Sequence, residues 1–407
     1  MMILFCMFLA ALNVINRYFY FVFAATALLA LTPGRKLRLP SSALFLTLMS
    51  LFILIFDPTN QDRILDMAKP FVYPMCYILG TSVFTYSPDA PVDLQKEERN
   101  ISAAIFVMAG GALTRFILNM ITNWSSTSRN VIDFWTKSEM AATGQAALAS
   151  IAVAVAVAFL FANAGKLKKI IGIATLIMIV TYNLVLAGRT LFIMIALLAV
   201  VALLYQCITQ KRKMTKTVII TLVVILVLIT LYNSNAFGLK TTFETSNFYL
   251  RFYGGQYSQE MNEDSRMQYK MGHLSYFFDY PWGGEKISKL YGHHAHDLYL
   301  DLYNEAGIFA LITVIIYIIA SLSRMVKCLR SNRITSATKL LILCTYVGCN
   351  VQFWLEPITK GMPWLLAAYC FMDGAITYLL MREQDSQEAA DSPALPLQTL
   401  PVNRKTN

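Results

Sequence analysis

The chain has 407 residues, of which 57% are hydrophobic and 14% are charged, and its mean hydropathy is +0.52. A soluble globular chain carries about 25% charged residues, so the composition excludes a set of ordinary soluble domains, and the apolar content excludes a disordered chain. The net charge of +10 comes from short basic clusters between apolar runs, which are typical membrane orientation signals. The sequence therefore predicts an all-α polytopic membrane protein that does not bind nucleic acid.

A transmembrane helix needs about 20 mostly apolar residues, and this length predicts about twelve spans. The fourth is interrupted by Pro70 and Pro74. Spans one to nine occupy residues 1–232, a large loop follows at 233–296, three more spans occupy 297–381, and 382–407 reads as a disordered tail. In chain order the predicted spans are 1–16, 18–32, 41–56, 66–86, 101–121, 142–163, 168–187, 189–207, 217–232, 297–321, 336–355 and 363–381.

The loops alternate between basic and less basic, which predicts the orientation. If both termini are cytoplasmic, every inner loop is basic, as the cluster Lys211–Lys216 and the run from Arg324 to Arg333 illustrate. The loop 233–296 then lies outside the cytoplasm, and we expect it to carry amphipathic helices.

Three of the four histidines fall within 293–296, where the long loop enters the tenth predicted span. Downstream, Asp297, Asp301 and Glu305 recur every four residues and form one stripe of a helix that leads to Gly307. Acidic residues inside a membrane are functional candidates. The alternative is an interfacial helix start at which Asp297 is favoured by the helix dipole.

Several cations stand in apolar surroundings. Arg189 lies between two apolar runs, and Lys69 precedes Pro70 in the broken span, where freed backbone often lines a cavity. In the long loop, Arg266, Lys270 and His273 share one face of a predicted helix. The alternatives are an arginine that reaches the lipid head groups and an amphipathic helix that lies on the bilayer.

The absence of several sequence motifs excludes some classes of membrane protein and of metal or disulfide site. It has no GxxxxGK[ST] loop, no DxD-like acidic pair in an outer loop, and no CxxC pair. A nucleotide-driven pump, a metal-dependent sugar-nucleotide transferase and a zinc or disulfide framework therefore have no support. Arginine suits a phosphate group because its planar fork can donate two hydrogen bonds, so the remaining residues fit a lipid-linked diphosphate.

The arrangement resembles the bacterial O-antigen polymerase and O-antigen ligase families. Three segments carry the resemblance: Gly188-Arg189, Arg266 ahead of Pro281-Trp282-Gly283-Gly284, and the run from His294 to Ile308. Where those families usually have His-Asn, this chain has His296-Asp297. The resemblance implies a C-type glycosyltransferase fold that needs neither metal nor cofactor. It also implies glycan transfer from undecaprenyl diphosphate to a lipid-linked or core glycan acceptor, at the outer face of the cytoplasmic membrane.

Carried over by position, Arg189 and Arg266 would bind the diphosphate and His296 would be the general base or would orient the acceptor. Substrate-binding roles are expected for the four residues His294, Lys69, Lys270 and Asp297. Spare cations and an aromatic-rich long loop favour a polymerase that joins repeat units of a surface polysaccharide. A ligase that moves finished polymer to a terminal acceptor is the alternative. A transporter such as a lipid-linked oligosaccharide flippase is less favoured, because its two halves would be related and here they differ.

Overall fold

The structure is a computed structural model, and it describes residues 2–14, 18–31, 39–57, 67–84, 93–124, 130–162, 165–209, 230, 232–252 and 265–391. Almost all of the predicted ninth span, the cluster Lys211–Lys216 and the end of the predicted tail lie outside these residues. The described part is helical apart from its loops and one two-stranded hairpin.

The described residues of the first half form eight helices and the hairpin. A short 3₁₀ turn at Lys69–Phe71 leads into α4, and β1 pairs antiparallel with β2, with Val131 opposite Met140. The elements are α1 (Met2–Leu12), α2 (Tyr18–Leu31), α3 (Ser41–Phe56), α4 (Val72–Ser82), α5 (Leu94–Thr122), β1 (Asn130–Ile132), β2 (Glu139–Ala141), α6 (Ala142–Phe161), α7 (Lys166–Leu186) and α8 (Thr190–Thr209).

The second half begins with short helices in the long loop and ends with three long helices. The long loop carries a 3₁₀ turn at Ala236–Gly238, α9 (Leu239–Glu244), α10 (Asn247–Phe252), α11 (Ser265–Ser275) and α12 (Lys286–Tyr291). The last helices are α13 (Leu298–Arg330), α14 (Ser336–Leu355), α15 (Ile358–Gly361) and α16 (Pro363–Asp391).

Six of the described helices are long and apolar enough to cross a membrane, namely α5, α6, α7, α8, α13 and most of α16. The helices α1, α2 and α3 are apolar but shorter. This confirms an all-α protein that is embedded in a membrane. The number of twelve spans stays a prediction.

The centre of the bundle is closely packed. Helix α6 is rich in Ala and Val and is buried on nearly all sides, as a helix surrounded by other helices must be. Helices α4 and α16 pack against each other at Gly80 and Gly374, where a Cβ at Gly80 would lie 2.1 Å from the carbonyl oxygen of Phe371. A buried ion pair between Arg324 of α13 and Asp373 of α16 joins these helices, with Arg324 Nε 2.9 Å from the Asp373 carboxylate.

Helix α13 is interrupted at Gly307, whose φ of 79° and ψ of −173° are not helical. The predicted span 297–321 therefore lies in one long helix that has a kink at this point. The loop that follows α11 supplies the missing partners: the Ile308 amide donates to the Pro281 carbonyl, and the Gly284 amide donates to the Glu305 carbonyl, both at 2.9 Å. Irregular backbone is tolerated inside a membrane protein when its polar groups are satisfied in this way. We call this contact the glycine junction.

Helix α16 continues to Asp391, so the prediction that 382–407 is disordered is wrong for residues 382–391. Polar side chains of this extension contact the loop between α13 and α14. Arg333 donates to Ser386 at 3.0 Å, and Ser331 donates to Glu383. These contacts give the last turns of α16 partners that a hydropathy pattern does not reveal.

Candidate functional site

A cavity of about 840 Å³ lies at one end of the bundle, which we call the site end. The ends of α1, α3 and α14, the hairpin, and the starts of α6 and α16 meet there. The opposite end, called the basic end, holds the starts of α5, α7 and α14. The acidic, basic and imidazole side chains that line the cavity are Asp57, Lys69, Arg115, Glu139, His296, Glu305, Glu356 and Lys360.

His296 enters the cavity from a loop that is held by the acids downstream. Asp297 caps α13 by accepting a hydrogen bond from the Leu300 amide at 2.8 Å, and Asp301 accepts one from the Ala295 amide at 2.8 Å. His296 itself has a left-handed backbone conformation with φ of 61°. Residues other than glycine adopt this conformation at a cost in free energy. The three acids of the predicted stripe thus have different roles. Asp297 caps α13, Asp301 holds the loop that carries His296, and Glu305 lines the cavity.

The His296 ring is neutral at ordinary pH. Burial, together with the neighbouring cations Arg266 and Lys270 and the imidazoles of His293 and His294, lowers its pKa to about 4. A neutral imidazole has one nitrogen that accepts a hydrogen bond. His296 can therefore accept a proton from a hydroxyl group that enters the cavity.

Two carboxylates in the cavity wall are almost completely buried. Glu305 accepts a hydrogen bond from Thr359 Oγ1 at 2.8 Å, and Lys360 Nζ lies 3.9 Å from the same oxygen. Glu356, at the end of α14, accepts one from Thr190 Oγ1 at 3.5 Å and pairs with Arg266 Nη1 at 3.5 Å.

Burial raises the pKa of Glu356, although Arg266 acts against the shift. Sequence reasoning missed Glu356. The only signal for it is an acid in the very short connection between two predicted spans.

Helix α11 forms as predicted and docks on the end of α14. Arg266 Nη1 donates to the Leu355 carbonyl at 3.2 Å, and Lys270 Nζ donates to the Trp354 carbonyl at 2.7 Å. These carbonyls belong to the last turn of a helix, whose free acceptors and dipole favour cations. Lys270 also pairs with Asp297 at 3.2 Å. The two cations thus share a face as predicted, and that face is turned toward the protein.

An apolar groove of about 780 Å³ opens beside this contact, between α11, α13 and α14. Lys270 and Asp297 stand among its otherwise mostly apolar lining. Met267, Met271 and Leu274 of α11 are exposed on its wall. The remaining lining residues are Tyr299, Leu300, Leu311, Ile315, Ile318, Ile319, Leu322, Tyr346, Val347, Asn350, Val351 and Trp354.

The hairpin closes another side of the cavity and is held by a buried ion pair. Arg115 Nε lies 2.7 Å from Asp133 Oδ2, and Asn119 donates to the same oxygen at 3.2 Å. Burial would raise the pKa of Asp133, but Arg115 and the Thr136 amide outweigh it and hold this pKa below its usual value. Sequence analysis gave no role to this pair, which fixes the position of Thr136 and Ser138 on the cavity wall.

The predicted site residues are only partly brought together. Lys69 and His296 line the cavity with Glu305 and Glu356, and Arg266 reaches it through its pair with Glu356. Arg189 is exposed at the start of α8 and is not part of the wall, although the next residue, Thr190, contacts Glu356. His294, Lys270 and Asp297 lie outside the cavity lining, the last two in the apolar groove.

Within the described residues, no group of three or more His, Cys, Asp and Glu side chains is arranged to hold a metal ion. All seven cysteines are free thiols, and five of them are buried. Comparison of the chain with protein-family models gave no match, and comparison with curated proteins gave none.

Proposed function

We propose that this protein is a metal-independent membrane glycosyltransferase that transfers a glycan from undecaprenyl diphosphate. The observation that carries the proposal is the pairing of a charged cavity of about 840 Å³ with an adjoining apolar groove of about 780 Å³. A lipid-linked saccharide has the same two parts. Its sugars and diphosphate need polar partners, and its long tail needs an apolar surface.

In the proposed reaction, a hydroxyl group of the acceptor glycan attacks the anomeric carbon of the donor. The new glycosidic C–O bond forms as the bond between that carbon and the diphosphate oxygen breaks, and the leaving group departs as undecaprenyl diphosphate. The neutral His296 ring takes the hydroxyl proton. The buried Glu305 side chain lies in the same wall.

The proposed diphosphate position lies between the cavity and the groove. Arg266 and Lys270 lie at this boundary, since Arg266 contacts the cavity residue Glu356 and Lys270 lines the groove. Lys69 adds a cation on the cavity wall. Arginine and lysine next to a leaving diphosphate stabilise its negative charge in the transition state.

The site end is proposed to face outward, with the protein in the bacterial cytoplasmic membrane. The described basic residues at the opposite end, among them Arg99, Lys168, Arg330 and Arg333, support this orientation because inner loops are enriched in Lys and Arg. Of the two acceptors, a second lipid-linked repeat unit is proposed, which makes the protein a polysaccharide polymerase. The alternative remains a ligase.

The test uses the purified full-length protein in proteoliposomes with a synthetic undecaprenyl-diphosphate-linked oligosaccharide. The expected products are free undecaprenyl diphosphate and a ladder of longer lipid-linked glycans. His296→Ala should lower diphosphate release by about 10²–10⁴-fold. His293→Ala is the matched control, since His293 is exposed three residues away and does not line the cavity.

Unchanged release in His296→Ala would remove this residue from the mechanism. Transfer of the lipid-linked substrate from one leaflet to the other without diphosphate release would overturn the proposal in favour of a transporter. Release that needs a core glycan and gives no ladder would support a ligase.

A further inference from the structure

A second cavity, with both polar and apolar lining residues, lies at the basic end of the bundle, opposite the site end. Its volume is about 630 Å³, and α5, α6, α7 and α14 form its walls. We propose that this cavity binds an anionic phospholipid, with the phosphate against Arg99 and Lys168 and an acyl chain against the apolar wall. This inference does not depend on the proposed transfer reaction.

The charge of the cavity is positive and is not neutralised inside the protein. In the part of the chain that the structure describes, no carboxylate lies within 4.0 Å of the charged groups of Arg99 or Lys168. Glu98 also lines the cavity, but its carboxylate accepts hydrogen bonds from the Thr335 amide at 3.1 Å and from Thr338 Oγ1 at 2.7 Å. The acid is therefore held by the start of α14. Arg99 Nε donates to the Gln95 carbonyl at 3.3 Å, which leaves the terminal nitrogens of its guanidinium and the Lys168 ammonium for a ligand.

The wall beside the cations is apolar. Lys168 Nζ lies 5.8 Å from the ring centroids of both Phe106 and Phe159. The lining includes Leu341 together with Ala158 and Ala162. An inorganic anion would leave this wall exposed, and a zwitterionic lipid would place a second positive charge near the two cations. The ligand that satisfies both surfaces carries a net negative head group and a hydrocarbon chain.

The position of the cavity along the helices is suitable for a bound lipid. Its residues come from the starts of α5, α7 and α14 and from the end of α6, which places it at the edge of the apolar bundle. Anionic head groups occupy this level of a bilayer, and each nearby Lys or Arg strengthens their binding about fivefold. The N-termini of α7 and α14, which carry partial positive charge from the helix dipole, also lie at this cavity and favour an anion. A lipid bound here would contact four helices at once.

The experiment titrates the purified protein in detergent with phosphatidylglycerol and, in parallel, with phosphatidylcholine, and counts bound lipids by native mass spectrometry. The wild-type protein should bind phosphatidylglycerol more tightly. The double variant Arg99→Gln, Lys168→Gln should lose roughly thirtyfold in phosphatidylglycerol affinity. The charge-preserving variant Arg99→Lys, Lys168→Arg should retain most of it, which separates loss of charge from loss of folding.

The matched control is Lys166→Gln, Lys169→Gln, which removes two charges from the same turn of α7 at residues that do not line the cavity. An equal loss of affinity in this control would overturn the proposal, because the effect would then be one of general surface charge. Equal affinity of the wild-type protein for the two lipids would also overturn it. Full competition by inorganic phosphate would show a simple anion site and contradict the role of the apolar wall.

Discussion

Replacement of Gly283 by alanine tests whether the glycine junction holds the site in place. Gly283 has φ of +73°, and a Cβ there would lie 2.5 Å from the Gly307 nitrogen and 2.8 Å from the Glu305 carbonyl oxygen. These are backbone atoms on the far side of the junction, so no side chain can rotate away. The two segments must separate, and Glu305 moves with them.

The matched control is Gly292→Ala. Gly292 has nearly the same backbone, with φ of +75°, but no atom lies within 4 Å of the position of its Cβ. The left-handed conformation costs an L-residue about 1–2 kcal/mol, and we expect that loss in both variants. Gly283→Ala should lose more, because separation also breaks the bonds from Gly284 to Glu305 and from Ile308 to Pro281. Each broken bond costs about 0.5–1.5 kcal/mol, and more if the buried group stays unpaired.

The assay is thermal unfolding in detergent, followed by a dye that reacts with newly exposed thiols. Buried cysteines such as Cys344 and Cys349 in α14 make the signal available without labelling. Because the shift in Tm is proportional to the loss in free energy of unfolding, Gly283→Ala should lower Tm about twice as much as Gly292→Ala. Equal shifts in the two variants would refute the reasoning, since steric contact at the junction would then contribute nothing.

Four further outcomes are expected. The kcat/KM for the donor should stay level from about pH 8 to about pH 5 and fall only near pH 4, where His296 is protonated in the free protein; an inflection near pH 6.5 would contradict a buried neutral ring. Arg266→Lys should raise the KM for the donor and lower Tm little, because lysine keeps a charge beside Glu356 without the planar fork. Asp133→Asn should lower Tm by more than Asn130→Ala, because it leaves the buried Arg115 unpaired, and calorimetry would compare the two. Added EDTA should leave the transfer rate unchanged, measured against a sample without chelator.

Much of the fold could be predicted from the sequence, because a membrane span is recognised from the mean hydropathy of about 20 residues. The bounds of α6, α7, α8 and α14 agree with the predicted spans to within about two residues. The break in α13 could not be predicted in the same way. It depends on whether Pro281 and Gly283 reach Gly307 across the bundle, which is a contact between segments and not a property of either one.

The candidate site was predicted in part for the same reason. The clustering of histidines in the sequence indicated His296, and the proline that follows Lys69 indicated Lys69. Both residues line the cavity. Glu356 carries only one local signal, its place in a very short connection, since it acquires its position from the end of α14 and its partners from α8 and α11. Arg189 has apolar surroundings in the sequence but an exposed side chain, and its diphosphate-binding role stays a prediction.

The segments that carry the family resemblance divide into two kinds once they are placed in three dimensions. Pro281-Trp282-Gly283-Gly284 and Glu305-Ala306-Gly307-Ile308 meet each other through backbone hydrogen bonds, so most of their residues serve to close the junction. His296 and Glu305 are the members whose side chains reach the cavity. Loss of activity in a variant of the junction is therefore expected from misplacement of Glu305, and it identifies a chemical role only if Tm is unchanged. For His296, whose loop is held by Asp301 through the Ala295 amide, replacement of the ring leaves the clamp intact, so activity and stability can be separated there.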